Sequence, residues 1–156
     1  MIHIVLYQPE IPHNTGAAGR LCLATGARLH LIKPLGFSLE DKYLKRSGLD
    51  YWHEVDVHVW ESWEELHAAA GEGACFKFVE VQGELTYWQA DLHSEGALYL
   101  VYGPETRGIP PEIMRLGETL HIPMLGTRSL NLATAVAIVL YEAVRQRCGL
   151  TTARSL

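Results

Sequence analysis

A chain of 156 residues is about one domain long, and 48% hydrophobic with 20% charged residues is a globular composition that excludes disorder, collagen-like repeats and coiled coil. A net charge of −5 argues against indiscriminate coating of nucleic acid, while leaving room for a local basic patch that reads one structured RNA. The longest charge-free run near the end, 129–141, holds 13 residues against about 20 for a spanning helix, so no membrane segment is expected.

Short apolar β-prone runs alternate with helical patterns along the whole chain. Residues 3–7 read as a strand, and a loop with two prolines follows over 8–13. Residues 14–25 read as a helix, with Asn14 or Thr15 as N-cap and Gly26 where a left-handed terminal residue belongs. Residues 28–32 form a second strand and 38–46 a short helix capped by Ser38. A third strand over 56–60 precedes a helix over 62–70, opened by the capping box Ser62-x-x-Glu65. Strands are expected at 75–81 and 97–102, a short proline-started helix at 110–116, and a last strand at 120–123. The longest helix covers 130–147. Such alternation predicts βαβ units in an α/β fold: a mostly parallel sheet with helices on both faces, in one domain spanning 1–156 with no separate RNA-binding domain.

The last helix is apolar nearly all round, through Leu130, Leu132, Ala133, Val136, Ala137, Val139, Leu140, Ala143 and Val144. Such a helix is buried on all sides, either deep inside a monomer or under a second copy in a symmetric homodimer, which is the expectation here.

Three cysteines, Cys22, Cys75 and Cys148, show no CxxC spacing, so reduced thiols in a cytoplasmic protein are expected. The first residues carry no basic run or small-residue cleavage site that suggests export. Eight histidines contain no HExxH or paired Cys/His pattern, and no metal site is expected. No G-x-G-x-x-G follows a strand, and Gly103–Gly108 lacks the lysine and hydroxyl of a phosphate loop, which removes kinase, NTPase and dehydrogenase readings. No G-x-S-x-G elbow supports a hydrolase.

Three polar clusters stand at the ends of predicted strands. Asn14 and Arg20 follow the first strand, nearly two helical turns apart, and Arg20 is either a solvated charge or a guanidinium aimed into a cleft. Gly103-Pro-Glu105-Thr-Arg107-Gly108 is either a glycine turn or a ligand loop, at the place where open α/β sheets bind ligands. Ser129, in the polar turn Gly126-Thr127-Arg128-Ser129-Leu130-Asn131, stands at the mouth of the last helix, either as an N-cap or as a group facing an anion at the helix start.

Taken in order, Pro-Glu-Ile-Pro-His-Asn14-Thr-Gly-x-x-x-Arg20, Tyr-Gly103-Pro-Glu105-Thr-Arg107-Gly108 and Ile122-Pro-Met…Arg-Ser129-Leu-Asn131-Leu resemble the three signature motifs of the SPOUT RNA methyltransferases. The resemblance is nearest to the minimal TrmL/YibK-type subfamily and runs from residue 1 to about 148, Gly48-Leu-Asp50-Tyr included. It implies a C-terminal trefoil knot, which no periodicity shows. It also implies transfer of a methyl group from S-adenosylmethionine to the ribose 2′-hydroxyl of the wobble pyrimidine (C or modified U) of tRNA, with leucine isoacceptors and their anticodon stem-loop as partner. By motif match, Val79, Gly103, Ile122 and Ser129 would line the cofactor pocket, and relatives usually carry Thr-Thr-Lys-Gly where this chain has Glu80-Val81-Gln82-Gly83. Arg20 would orient the 2′-hydroxyl or a phosphate, since a guanidinium stays protonated, with Asn14, Glu105, Ser129 and Asn131 positioning it and the ribose. Lys42, Lys45 and Arg46 form the densest basic cluster, either a solvated helix face or an RNA contact together with Arg20 and Arg107. A ribosomal RNA ribose methyltransferase and a non-catalytic RNA-binding module are the competing readings.

Overall fold

The runs richest in large apolar and β-branched residues become the middle of one sheet. In the computed structural model, which describes residues 1–40, 51–93 and 96–148, β1 (Ile2–Tyr7) and β6 (Leu98–Tyr102) lie side by side, and all five residues of β6 are buried. With β2 (Arg28–Ile32), β3 (Val57–Trp60), β4 (Cys75–Val79), β5 (Leu85–Thr86) and β7 (Glu118–His121), they form a seven-stranded sheet in the order β3-β2-β1-β6-β4-β7-β5. Every pairing among them is parallel.

Strand residues alternate between faces, and each face acquires its own core. On one side Ile4, Leu6, Leu29, Leu31 and Leu100 meet Ala18 and Cys22 of α1 (Pro12–Thr25). The same core takes in Val136, Val139 and Leu140 of α4 (Leu132–Cys148). On the other, Val5, Ile32, Phe78 and Val101 meet Trp63 and Leu66 of α2 (Trp63–Ala70) and Ile113 of α3 (Pro111–Met114). A parallel sheet gathers all its strand C-termini along one edge, so the loops leaving β1, β4, β6 and β7 converge there.

Local signals account for most boundaries. Gly26 closes α1 in the left-handed region at φ 69°. Ser62 accepts from the Glu65 N–H at 3.4 Å, and the Glu65 carboxylate reaches back to the Glu61 N–H at 3.1 Å. Gly19 leaves room for the 3₁₀ turn Trp52–Glu54, because a Cβ there would stand 3.0 Å from the Trp52 ring.

Several boundaries differ from expectation. α1 starts at Pro12 with Ile11 at the N-cap and no side-chain cap, so Asn14 and Thr15 are buried inside the helix. Proline needs no donor at a first helical position. β4 stops at Val79: Glu80 donates its N–H to the Leu120 carbonyl, and the Gly83 N–H returns to the Glu80 carbonyl at 3.3 Å. β7 begins at Glu118, two residues early, because it is set by pairing Lys77 with Glu118 across β4, where the two side chains also form an ion pair. The helix after Pro110 has only four residues. Residues 38–40 are not helical, and the rest of the helix expected over 38–46 lies outside the described residues.

Among the described residues, the last helix is not enclosed on all sides. Its buried positions, Leu132, Val136, Val139, Leu140 and Ala143, make one stripe, and Tyr141 remains 44% exposed. The sheet and α1 cover one side only. Among the described residues, no helix is long and apolar enough to cross a membrane.

Candidate active site

At the strand C-termini, the three polar clusters meet. Glu105, just past β6, accepts hydrogen bonds from the Glu10 N–H at 2.8 Å, the Ile11 N–H at 3.1 Å and the Asn14 Nδ2 at 3.0 Å. Asn14 in turn accepts from Asn131 Nδ2 at 2.8 Å, and Asn131 Oδ1 accepts from the Thr134 N–H at 3.2 Å. Asn131, not Ser129, therefore caps α4. Ser129 stands exposed before the helix, its carbonyl taking a bond from Thr127 Oγ1 at 3.2 Å. The carboxylate of Glu105 supplies acceptors to backbone donors entering α1 that proline-started helices leave without partners. Glu10 answers from the other loop, accepting from Thr106 N–H at 3.1 Å and Thr106 Oγ1 at 2.8 Å.

This wall bounds a cleft of about 500 Å³. Val79, Ile122, Leu130 and Ala135 give it an apolar side, and Asn14, Glu105, Ser129 and Asn131 a polar side. Gly103 and Gly108 lie in its floor. A Cβ on Gly103 would stand 3.1 Å from both Glu80 Oε1 and the Ile109 nitrogen, so the missing side chain lets this loop close against Glu80. Tyr102, fully buried at the end of β6, is held neutral because burial raises its hydroxyl well above the ordinary value. Burial pushes the Cys22 thiol up to about 12, so it is no nucleophile.

Of the residues singled out by sequence, Asn14, Val79, Gly103, Glu105, Arg107, Ile122, Ser129 and Asn131 all line this cleft. Arg107 is exposed; its Nη2 donates to Gln8 Oε1 at 2.6 Å, and its Nη1 is 3.9 Å from Glu10. Arg20 does not line the cleft. It is exposed on α1, with its guanidinium carbon 4.3 Å above the Tyr51 ring. Lys42, Lys45 and Arg46 lie outside the described residues. Among the described residues, no group of three or more His, Cys, Asp or Glu side chains is placed to hold a metal.

Four participants were not anticipated. Glu80 reaches the Ile109 N–H at 2.7 Å and lines the cleft. Glu10 ties down the loop after β6, and Tyr51 supports Arg20 while donating to the Gly16 carbonyl at 2.7 Å. Gln8, holding Arg107, takes a left-handed φ of 49°, unusual away from glycine. Glu10, Tyr51 and Glu80 lie within segments the motif comparison already contained, without a role assigned to them; the Gln8 conformation has no sequence signature.

The model of the SpoU rRNA methylase family matches residues 1–141. A tRNA (cytidine(34)-2′-O)-methyltransferase of Methylovorus glucosotrophus is 49% identical over 150 residues, covering 94% of this chain and 96% of that protein. A solved structure described as giving structural insights into the 2-OH methylation of C/U34 on tRNA is 47% identical, with a TM-score of 0.86 and coverage of 94% and 95%. The SpoU methyltransferase AviRb from Streptomyces viridochromogenes, in complex with the cofactor AdoMet, is 28% identical with a TM-score of 0.77, covering 94% of this chain and 57% of AviRb.

Proposed function

The chain belongs to the SpoU rRNA methylase family, and from that premise we propose that it transfers the methyl group of S-adenosylmethionine to the ribose 2′-hydroxyl of the wobble pyrimidine, nucleotide 34, of tRNA, with leucine isoacceptors as substrates. One observation carries the reading: all three motif segments are hydrogen-bonded into one wall of one cleft. Similarity over 94% of the chain to a relative named for position 34 supports tRNA over ribosomal RNA.

The cleft suits the cofactor. Its volume of about 500 Å³ is in the range of small-molecule sites. Val79, Ile122 and Leu130 offer an apolar wall for a planar base, and Gly103 leaves backbone exposed where a Cβ would intrude. When bound, S-adenosylmethionine supplies an electrophilic methyl on a positively charged sulfur that is its own leaving group.

The protein's part is alignment and management of one hydroxyl proton. Asn14, Glu105 and Asn131 spend their side-chain bonds on each other and on loop backbone, so they hold the rim rigid. Ser129 lines the same cleft, which supports assigning it to orienting the ribose. Arg20 remains protonated and acts as an orienting cation for the 2′-hydroxyl or the neighbouring phosphate. Arg20 stands on Tyr51 and not in the lining of its own cleft, which is compatible with a substrate surface that a second copy completes. Ile11 and Leu23 on the α1 side and Tyr141 on α4, 44%, 38% and 44% exposed, furnish apolar surface for that homodimer. Arg107, with Lys42, Lys45 and Arg46, supplies phosphate contacts to the anticodon stem-loop. The final helix is bonded to the segment before β6, through Gln146 to Ala90 and Leu92 and through Arg147 to Gly96, a linkage compatible with the C-terminal knot the resemblance implies.

Nucleoside analysis of tRNA from a deletion strain tests the proposal. Loss of a 2′-O-methylated pyrimidine at the wobble position of leucine tRNAs, restored by the wild-type chain, is expected. Unchanged tRNA with a lost ribosomal 2′-O-methyl group would replace it with the ribosomal reading.

A further inference from the structure

Glu80 is a carboxylate in a wall otherwise made of apolar side chains and backbone. It leaves the end of β4 directly after Val79, and its own N–H is taken by the Leu120 carbonyl at 2.9 Å. Its Oε1 accepts from the Ile109 N–H at 2.7 Å. A Cβ on Gly103 or Gly108 would stand 3.1 or 3.4 Å from the same oxygen, so the glycine loop after β6 wraps one side of the carboxylate. Oε2 has no hydrogen-bond partner, and no cationic side chain pairs with Glu80 among the described residues. A half-buried carboxylate with one oxygen fixed and the other unpaired beside a cleft leaves acceptor capacity that a ligand can satisfy.

The surroundings choose the ligand group. Beside Glu80 stand Val79, Val81 and Ile122, which suit a base. Asn14, Ser129 and Asn131, on the segments around α1 and α4, line the same cleft with polar groups, and the proposed function puts the methyl acceptor beside them. Between a base on the apolar wall and a transferable group at the polar side lies the sugar of a nucleoside. Its two neighbouring hydroxyls are donors that match a carboxylate with an open oxygen, and bonds to an ionised acceptor are the stronger kind.

We infer that Glu80 is a ligand-binding residue of this cleft, whose outer carboxylate oxygen accepts hydrogen bonds from the vicinal ribose hydroxyls of the nucleoside cofactor. The inference rests on the S-adenosylmethionine reading of the cleft. It assigns Glu80 to the sugar, away from the sulfonium and the amino-acid tail.

Calorimetric titration of the full chain with S-adenosylmethionine, S-adenosylhomocysteine and 2′,3′-dideoxy-S-adenosylhomocysteine tests it. Glu80→Gln keeps an oxygen for the Ile109 N–H, and is expected to weaken the first two ligands equally, by about tenfold, and the dideoxy analogue by less than about twofold. Gly108→Ala places a methyl 3.4 Å from Oε1 and 3.6 Å from Oε2, ordinary contact for the fold, and is expected to give the same pattern more weakly should Glu80→Gln fail to fold. Equal losses for all three ligands, or no loss for any, overturn the inference. A loss confined to S-adenosylmethionine overturns it in favour of a contact with the sulfonium. A wild-type chain that binds none of the three overturns the cofactor reading itself, and the Glu80 assignment with it.

Discussion

Two side-chain networks cross strand boundaries in this sheet, and they differ in what they leave open. At the strand C-termini, Asn14, Glu105 and Asn131 join three loops, and beside them Ser129 and Glu80 line a cleft. Elsewhere on the sheet, His3 of β1, His30 of β2 and Trp60 of β3 form a second network. Trp60 can only donate, and it does so to His30 Nδ1 at 2.9 Å; His30 therefore carries its proton on Nε2 and donates to His3 Nδ1 at 2.8 Å. His3 stacks on Tyr99 with ring centroids 4.3 Å apart, and both histidines are buried. The histidine network is buried between strands away from the cleft lining and serves the fold, whereas the other borders the cleft to which the proposed chemistry is assigned. A residue type associated with catalysis is here the structural one.

The largest effect should come from removing Arg20, the cation proposed to act at the cleft without lining it. Arg20→Ala is expected to lower methylation by about 10²-fold or more. Affinity for S-adenosylhomocysteine should be unchanged and stability should fall by no more than about 1 kcal/mol, the scale of an exposed cation–π contact. Arg20→Lys should also fall steeply, since it keeps charge but loses the planar fork. Single-turnover assays on tRNA with parallel calorimetry check this. Near-normal turnover would make Arg20 a solvated charge, and lost cofactor binding in a folded variant would move it into the cofactor pocket.

The histidine network should respond to pH through stability. Burial is the main cause that lowers His3 to about 4 and His30 to about 3 from 6.5, assisted for His3 by Arg28 and for His30 by His3. Both rings are neutral when folded, and the unfolded chain takes up their protons once the pH drops below 6.5. Their stabilisation is thus complete above pH 6.5, is lost as the pH falls through the window toward 4 and 3, and changes no further below. At pH 5 the expected loss is about 2 kcal/mol per ring. Denaturant midpoints measured from pH 7.5 to 5 check it; a flat profile would mean the network is not closed and neutral.

How much of this contrast was legible follows from how far each feature depends on distant pairing. The segments that hold Asn14, Gly103, Glu105, Ser129 and Asn131 were readable as polar clusters following strands, each with a structural alternative, and the resemblance to three ordered motifs singled out these residues; a parallel sheet brings such segments together. The meeting of His3 with His30 was not, because it requires β1 beside β2 in the register that pairs Val5 with His30. The two-residue β5 exists only through its pairing with β7. Asn131 rather than Ser129 caps α4 because the chain becomes helical only at Leu132. The apolar circumference of α4 was readable, but its division into a buried stripe and an outer side depends on what the sheet and α1 cover.

That outer side sharpens the comparison, since it decides whether the cleft is complete in one copy. Val139 and Leu140 are fully buried within the chain, so a charge there tests folding and not association. Tyr141→Glu and Leu23→Glu place the charge on exposed positions of α4 and α1. Each is expected to weaken dimerisation by about tenfold or more, the scale of losing a well-packed interface residue, with the chain still folded. Light scattering at micromolar concentration checks it, and a monomeric wild type would remove the homodimer from the account.

The smallest effect isolates how Arg20 is held. Tyr51 is fixed to α1 itself, its hydroxyl donating to the Gly16 carbonyl at 2.7 Å, and its ring then supports the guanidinium at 4.3 Å. A cation–π contact at an exposed site is worth about 0.5–1 kcal/mol, which corresponds to a rate effect of roughly two- to fivefold if it only biases the Arg20 rotamer toward the working position. Tyr51→Leu should therefore lower kcat by that factor while leaving KM and cofactor affinity alone, and Tyr51→Phe, which keeps the ring, should lower it less. The informative measurement is the double variant. If Tyr51 acts through Arg20, Tyr51→Leu has no further effect once Arg20 is Ala, because the group it positions is gone. If the two losses multiply instead, Tyr51 acts through the packing of α1, and its contact with Arg20 belongs with the histidine network as structure.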